Sequence, residues 1–275
     1  MPNIQFVSER KQYSIVFSIC TIVNDMEEYK QMKESFESCG FTDGCEYLVA
    51  DNTERNIFNA YTAMAAFIKQ STGRFILAVH QDVRCIDSKE MLMNYLEIIN
   101  SMDNKWALCG NAGCNGFHEK RIHLINNGNK ITYTNLPALV NSLDENFIVI
   151  NADTNISVSA DLDGFHLYGT DLCCVADFLG YSSYVIPFMV NHLSKGNLET
   201  FDEFIPQFTK AYGRKLRSRY METTCTRFFM ASGVLNSKVT NRWPFIFFIK
   251  AGQRIKQVIR LIKEGDKFKK TVVPV

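Results

Sequence analysis

No apolar stretch in this sequence reaches the ~20 residues that a bilayer-spanning helix needs. The nearest, Trp243 to Ile249, is far too short. Nine cysteines are present without one Cys-x-x-Cys pair. Their odd count and scattered spacing argue against a disulfide frame or a zinc site. Cys20 and Cys174 sit inside apolar runs, where cysteine behaves as a small hydrophobe. The opening MPNIQFVSERKQYS lacks the apolar core of a signal peptide. Reduced thiols and a cytoplasmic location are the expectation. There is no internal repeat, no low-complexity linker and no charge of one sign, the net being +1 over 275 residues. With 46% hydrophobic and 21% charged residues, disorder, collagen and coiled coil are excluded. The length suits one large domain, or one domain with a helical appendage.

The small net charge hides an asymmetry. From Lys210 to Val275 there are 16 Lys and Arg against 3 Asp and Glu, a net of +13. The residues before Lys210 carry 14 basic and 26 acidic side chains, a net of −12. An acidic body with a basic tail points to a partner for the tail.

Tyr13 to Val23 is a continuous apolar run rich in β-branched residues, the pattern of a parallel-sheet strand buried on both faces. Asn24-Asp25 ends it. Met26, Tyr29, Met32, Phe36 and Cys39 then recur at helical spacing, with Gly40 placed to cap. Glu46 to Ala50 predicts a strand ending at Asp51-Asn52. Ile57, Tyr61, Met64 and Ile68 carry a second helix, closed by Ser71-Thr72-Gly73. Arg74 to Val79 is a third strand, ending at His80-Gln81-Asp82. Asp87 to Ile99 is a third helix with Asp87 and Glu90 as its capping pair. This order predicts right-handed βαβ units and an α/β fold with an open, mostly parallel sheet flanked by helices. Further on, Trp106 to Gly116 leads a strand into a glycine-rich bend. His118 to Ile131 reads as a hairpin turning at Asn126-Asn127-Gly128-Asn129. Phe147 to Ile150 and Tyr184 to Val190 read as strands, Leu172 to Leu179 as a helix, and the chain from Leu198 onward as helical and basic.

Polar residues thus collect just after the strands. In open α/β sheets ligands bind outside the carboxyl ends of the strands. Three such acidic ends, with no Gly-x-Gly-x-x-Gly after the first strand, argue against a dinucleotide fold. They suit a site that holds a metal and a nucleotide by carboxylates.

Four segments follow one another in a telling order. They are Ser18-Ile-Cys-Thr-Ile-Val-Asn-Asp25, Tyr47-Leu-Val-Ala-Asp-Asn52, Phe75-Ile-Leu-Ala-Val-His-Gln-Asp-Val83, and Phe165-His-Leu-Tyr-Gly-Thr-Asp-Leu-Cys173 with Val190-Asn-His-Leu-Ser-Lys-Gly196 behind it. As an ordered set over Tyr13 to Gly196, they resemble the GT-A-fold glycosyltransferases, in particular the bacterial family 2 type that builds surface polysaccharides. The resemblance implies a GT-A, Rossmann-like domain over 1–197, with a nucleotide-sugar half at about 1–116 and an acceptor half at about 117–197. A basic helical extension over 198–275 lies beyond it.

The resemblance also implies roles. Asp82 matches the last carboxylate of the family's Asp-x-Asp motif, which holds a divalent cation, Mn²⁺ or Mg²⁺, against the leaving diphosphate. His80 replaces the motif's first Asp, near ribose, sugar or metal, and Gln81 stands between them on the nucleotide side. Asp51 matches the carboxylate that hydrogen-bonds a nucleobase and suits the imide N–H of uracil or thymine. Thr21 and Asn24 match first-strand positions that border base and ribose. Asp171 falls where an inverting enzyme places its general base. His192 matches a later metal-binding His. Gly164 and His166 belong to the acceptor segment, and Gly113 lets backbone approach the donor sugar. Plainer readings stand beside these: an Asx turn at Asp51-Asn52, helix N-caps at Asn24 and Asp171, and turns at Asp82 and Gly113.

The implied activity is transfer of a sugar from a nucleotide-diphosphate donor, a UDP-sugar favoured, to a lipid-linked or saccharide acceptor. Two rivals stand beside it. A degenerate GT-A domain that binds a saccharide or assembles at a membrane is kept open by the missing first Asp. A nucleotidyltransferase is disfavoured because Asn24 to Tyr29 is acidic where that class carries a glycine- and Arg/Lys-rich loop. In the tail, Phe248, Ala251, Ile255, Val258, Ile259 and Ile262 share one helical arc, with Lys250, Arg254, Lys256, Arg260 and Lys263 beside or opposite it. Trp243, Phe245 and Phe247 precede it. Such a helix lies in the interface of an anionic membrane, or packs its apolar face on the body. No nucleic-acid-binding motif is present.

Overall fold

The computed structural model describes residues 12–194 apart from 117, 118 and 134, then 201–233 and scattered positions from 238 to 262. The chain divides into two compact units, Met1–Phe208 and Thr209–Val275.

The first unit begins as its apolar runs predict. Strand β1 is Ile15–Val23, helix α1 Met26–Ser38, β2 Cys45–Asp51, α2 Ala60–Gln70 and β3 Gly73–Val79. A short β4, Val83–Cys85, precedes α3, Lys89–Met102. Each helix start has a physical reason. The Asp25 carboxylate accepts from Glu27 and Glu28 N–H, and Asn59 and Thr62 form a reciprocal box at α2. At α3 the cap is Ser88, whose side chain accepts from Met91 N–H. The expected cap, Asp87, is occupied elsewhere: its carboxylate accepts from Met189 N–H at 2.7 Å and its own N–H donates to Met189 C=O.

The chain then forms β5 Trp106–Gly110, β6 Ala112–Cys114, β7 Lys120–Ile122, β8 Leu124–Asn126, β9 Asn129–Ile131, β10 Ala138–Val140, β11 Ser142–Leu143 and β12 Phe147–Asn151. The hairpin is confined to β8 and β9. It turns at Asn127-Gly128, both at positive φ, while β7 pairs with β6 instead. Helix α4, Tyr168–Phe178, starts a full turn before the expected Leu172. Its cap residue, Leu167, is left-handed at φ 64° and provides no side-chain bond. Strands β13, Ser182–Val185, and β14, Val190–His192, follow, then α5, Phe201–Lys215.

One seven-stranded open sheet, ordered β10-β13-β5-β12-β3-β1-β2, organises the unit. β1 pairs in parallel with both β2 and β3, and β13 in parallel with β5. β12 runs antiparallel between β3 and β5, and β10 antiparallel to β13 at the edge. The fold is therefore α/β with a sheet whose strands mostly run one way, flanked by helices. The odd-numbered side chains of β1, Phe17, Ile19 and Val23, pack with Met32 and Phe36 of α1, Leu92, Leu96 and Ile99 of α3, and Phe75, Leu77, Phe147 and Val149. Burial of each such side chain stabilises the fold by about 1.5–3 kcal/mol. On the other face the sheet presents the smaller Cys20 and Ala78 toward Ala60, Met64 and Phe67 of α2, and a cleft opens there.

The second unit contains an antiparallel hairpin of β15, Arg219–Glu222, and β16, Arg227–Met230. Among its described residues, Phe247, Phe248, Ile255, Val258, Ile259 and Ile262 are exposed. Trp243, Phe245, Lys250 and Lys263 of the expected interfacial helix, like Lys195 and Gly196 of the expected closing loop, lie outside the described residues. No helix of the described residues is long and apolar enough to cross a membrane. None of the nine cysteines forms a disulfide.

Candidate active site at the carboxyl edge of the sheet

The ends of β1 and β3 are tied by one side chain. Gln81 Oε1 accepts from Asn24 N–H at 2.9 Å and Asp25 N–H at 3.2 Å, and its amide donates to Asn24 Oδ1 and Glu28 Oε2. This cross-brace walls one side of a cleft of about 730 Å³. Asp144 and Glu145, which precede β12, line it too, together with His166 just before α4 and Tyr168 in its first turn. Because β12 is antiparallel, its amino end lies beside the carboxyl end of β3, with Phe147 opposite Val79.

His80, Asp82 and His192 converge in this cleft. One ligand atom from each lies within 4.8 Å of the others. Asp82 Oδ2 is 3.3 Å from His192 Nε2, and Asp82 Oδ1 is 3.9 Å from His80 Nδ1. The turn from β3 presents two of them, and β14 brings the third by pairing antiparallel with β4, His192 opposite Val83. Burial works against ionisation of Asp82, but bonds from His192 and Ser194 and the nearby imidazoles hold its pKa well below the carboxylate range. Burial would lower the His192 pKa too, yet the Asp82 bond and charge raise it above the ordinary value. At His80, burial outweighs Asp82 and keeps the ring neutral to lower pH. An ionised carboxylate with two imidazoles is a donor set that fits a divalent transition cation.

Glu145 is the most perturbed carboxyl in the cleft. Burial, then the neighbouring Asp144, pushes its pKa up to about 8, against backbone N–H groups at the start of α4 that favour the anion. Gly169 N–H points at Oε1 from 3.4 Å, so Glu145 faces the helix end that Leu167 leaves uncapped.

Several expected site residues stand elsewhere. Asp171 is fully buried in the first turn of α4. Its carboxylate accepts from Ser159 N–H at 2.7 Å and Ser159 Oγ at 2.6 Å, and it does not line the cleft. Its expected cap position belongs to Leu167, and a base facing an acceptor is not what this placement provides. Thr21 shares the face of Ile19 and Val23, since alternate strand residues point to opposite sides. The cleft therefore sees Cys20 and Ile22 instead. Asp51 is exposed in an Asx turn, accepting from Thr53 N–H and Oγ1. Gly113 is small because β11 pairs closely alongside it: a Cβ there would collide with Ser142 C=O. Gly164, at φ 101°, lies against the Phe204 ring, and its C=O accepts from Ala60 N–H at the start of α2. Asn24, Gln81, His80, Asp82, His166 and His192 do line the cleft. Asp144, Glu145 and Tyr168 were given no role by the sequence.

Over 238 residues the chain is 31% identical to the protein called ATP synthase subunits region ORF 6 of Fuscovulum blasticum, covering 83% of this chain and 96% of that protein. The chain belongs to that protein's family. The relative's name states no activity. No family model matches the chain. Among solved structures, it is similar to the mannosyltransferase PcManGT of Pyrobaculum calidifontis in complex with GDP-Man and Mn²⁺. That match has 10% identity and a TM-score of 0.47, over 74% of this chain and 68% of that one. It is also similar to A197 from STIV, with 10% identity and a TM-score of 0.42, over 66% and 87% of the two chains. A third likeness is S. aureus TarS 1-349, with 13% identity and a TM-score of 0.39, over 63% and 58%. At these identities no residue's role passes from them to this chain.

Proposed function

We propose that the protein is a cation-dependent, inverting glycosyltransferase that moves a sugar from a nucleotide-diphosphate donor, a UDP-sugar by preference, to a saccharide or lipid-linked acceptor. The observation that carries this reading is the convergence of His80, Asp82 and His192 in a cleft on the sheet edge where open α/β folds take their ligands. A divalent cation there would neutralise charge developing on the departing diphosphate. Asp82, held ionised, and the two imidazoles would hold it. Asn24 and Gln81 would border the nucleotide. Phe165, His166 and Phe201 offer ring faces and edges to a sugar on the far side of the cleft.

Glu145, rather than the buried Asp171, would take the acceptor hydroxyl's proton: it lines the cleft, and burial pushes its pKa up to about 8, near neutrality. The basic tail would hold the enzyme against an anionic membrane surface carrying a lipid-linked acceptor. The test is release of nucleoside diphosphate from UDP-, GDP- and dTDP-sugars with Mn²⁺ in the presence of saccharide acceptors. Turnover with one donor class, lost about 100-fold or more in Glu145→Gln and in Asp82→Ala, is the expected result. Turnover that survives both substitutions would overturn the reading.

A further inference from the structure

His80 is held at both ends, its backbone by Asn146 and its ring by Tyr168, whose hydroxyl is tied back to Glu145. Its backbone N–H donates to Asn146 C=O at 3.1 Å. Its ring Nε2 lies 3.2 Å from the Tyr168 hydroxyl, and that hydroxyl donates to Glu145 C=O at 3.0 Å. A carbonyl oxygen only accepts, so the single phenolic proton is committed to Glu145. Toward His80 the hydroxyl can therefore only accept, and the proton in that bond belongs to the ring. A neutral imidazole carries one N–H. With it on Nε2, the lone pair is on Nδ1, the nitrogen 3.9 Å from Asp82 Oδ1 and on the side of the ring that faces the carboxylate.

We propose that Tyr168 is a positioning residue that fixes His80 as the Nε2–H tautomer and so turns the Nδ1 lone pair toward Asp82 and His192. This rests on reading those three side chains as a cation site. It adds that the site's nitrogen donor is set by a buried hydroxyl on α4, an element other than the strand β3 that the ligand follows. Partners of this kind, which hold the far nitrogen of a ligating histidine, typically change metal affinity by 10–100-fold when removed. Tyr168 is almost fully buried in the lining of the cleft, so water does not freely replace its hydroxyl.

Two measurements test this on the full chain. The first is long-range ¹⁵N–¹H correlation of the His80 ring in metal-free protein near pH 8, assigned with His80→Gln. It should show Nε2 protonated and Nδ1 bare in the wild type, and a mixture of tautomers in Tyr168→Phe. The second is Mn²⁺ titration followed by electron paramagnetic resonance. Tyr168→Phe should bind at least 10-fold more weakly than the wild type, while its far-ultraviolet circular dichroism is unchanged. A wild-type His80 protonated on Nδ1, or a Tyr168→Phe variant with the wild-type tautomer and Mn²⁺ affinity, would overturn the proposal. A wild type that binds no Mn²⁺ yet shows the Nε2–H tautomer lost in Tyr168→Phe would overturn the cation reading and support the positioning role.

Discussion

Gln81 spans the edge of the sheet to Asn24. One amide oxygen accepts both Asn24 and Asp25 N–H, and the amide nitrogen returns a bond to Asn24 Oδ1. The middle residue of the His80-Gln81-Asp82 triplet thus faces away from its neighbours' centre and clamps the end of β1 to the end of β3. His80 and Asp82 are left on the side where His192 arrives.

Gln81→Ala removes that clamp. The lost bonds are partly exposed, and the net cost should be about 1–2 kcal/mol. For a chain of this size that corresponds to a fall in melting temperature of roughly 2–8 °C. Differential scanning calorimetry of the two proteins checks it, and Mn²⁺ affinity should weaken in the same variant because the turn carrying Asp82 loses its anchor.

Asp171→Ala should act on folding. It strips a buried acceptor from Ser159 N–H and Oγ, with an expected loss of about 3 kcal/mol by urea denaturation. Provided the variant is kept below its transition, cation-dependent nucleotide binding should persist, which separates it from Asp82→Ala. Loss of nucleotide binding with stability intact would return Asp171 to the site.

The Glu145 carboxyl is raised from 4.5 to about 8 by burial and then by Asp144. A carboxyl with a raised folded pKa binds its proton more tightly in the fold than in the unfolded chain. Its contribution is therefore most favourable below pH 4.5 and is lost progressively as pH climbs toward 8. Stability of the wild type relative to Glu145→Gln, measured by urea unfolding at pH 5.5 and pH 8.5, should fall between the two conditions. A difference that is flat or rises with pH would contradict this placement of Glu145.

Much of the first half was legible because each run had one clear period. The β-branched run of β1 and the Met26-to-Phe36 helical spacing gave element types that the packing of Phe17, Met32 and Phe36 agrees with. What the pattern does not carry is which side a strand residue faces when both faces are apolar. In Ile15–Val23 nothing separates Thr21 from Cys20 and Ile22, yet only the latter two reach the cleft. Strand direction was equally silent. Phe147 to Asn151 reads as a strand, but its antiparallel run is what brings Asp144 and Glu145 beside His80. The available signal was the acidic pair immediately before that apolar run. Residues preceding an antiparallel strand share an edge with residues following the neighbours it runs against. The start of α4 was missed for a related reason: Leu167 in the left-handed region breaks every capping preference, and Glu145 faces the helix end from a distance.

The most direct test of the account is thermal unfolding of wild type and Asp82→Ala with UDP, GDP, dTDP or CMP, each with and without Mn²⁺. At ~100 times its dissociation constant, a bound ligand stabilises the fold by about 2.7 kcal/mol, several degrees for a protein of this size. The account predicts a shift with one nucleoside diphosphate that requires both Mn²⁺ and Asp82. A nucleotide shift that is the same without Mn²⁺ or in Asp82→Ala, or no shift with any of the four, would contradict it.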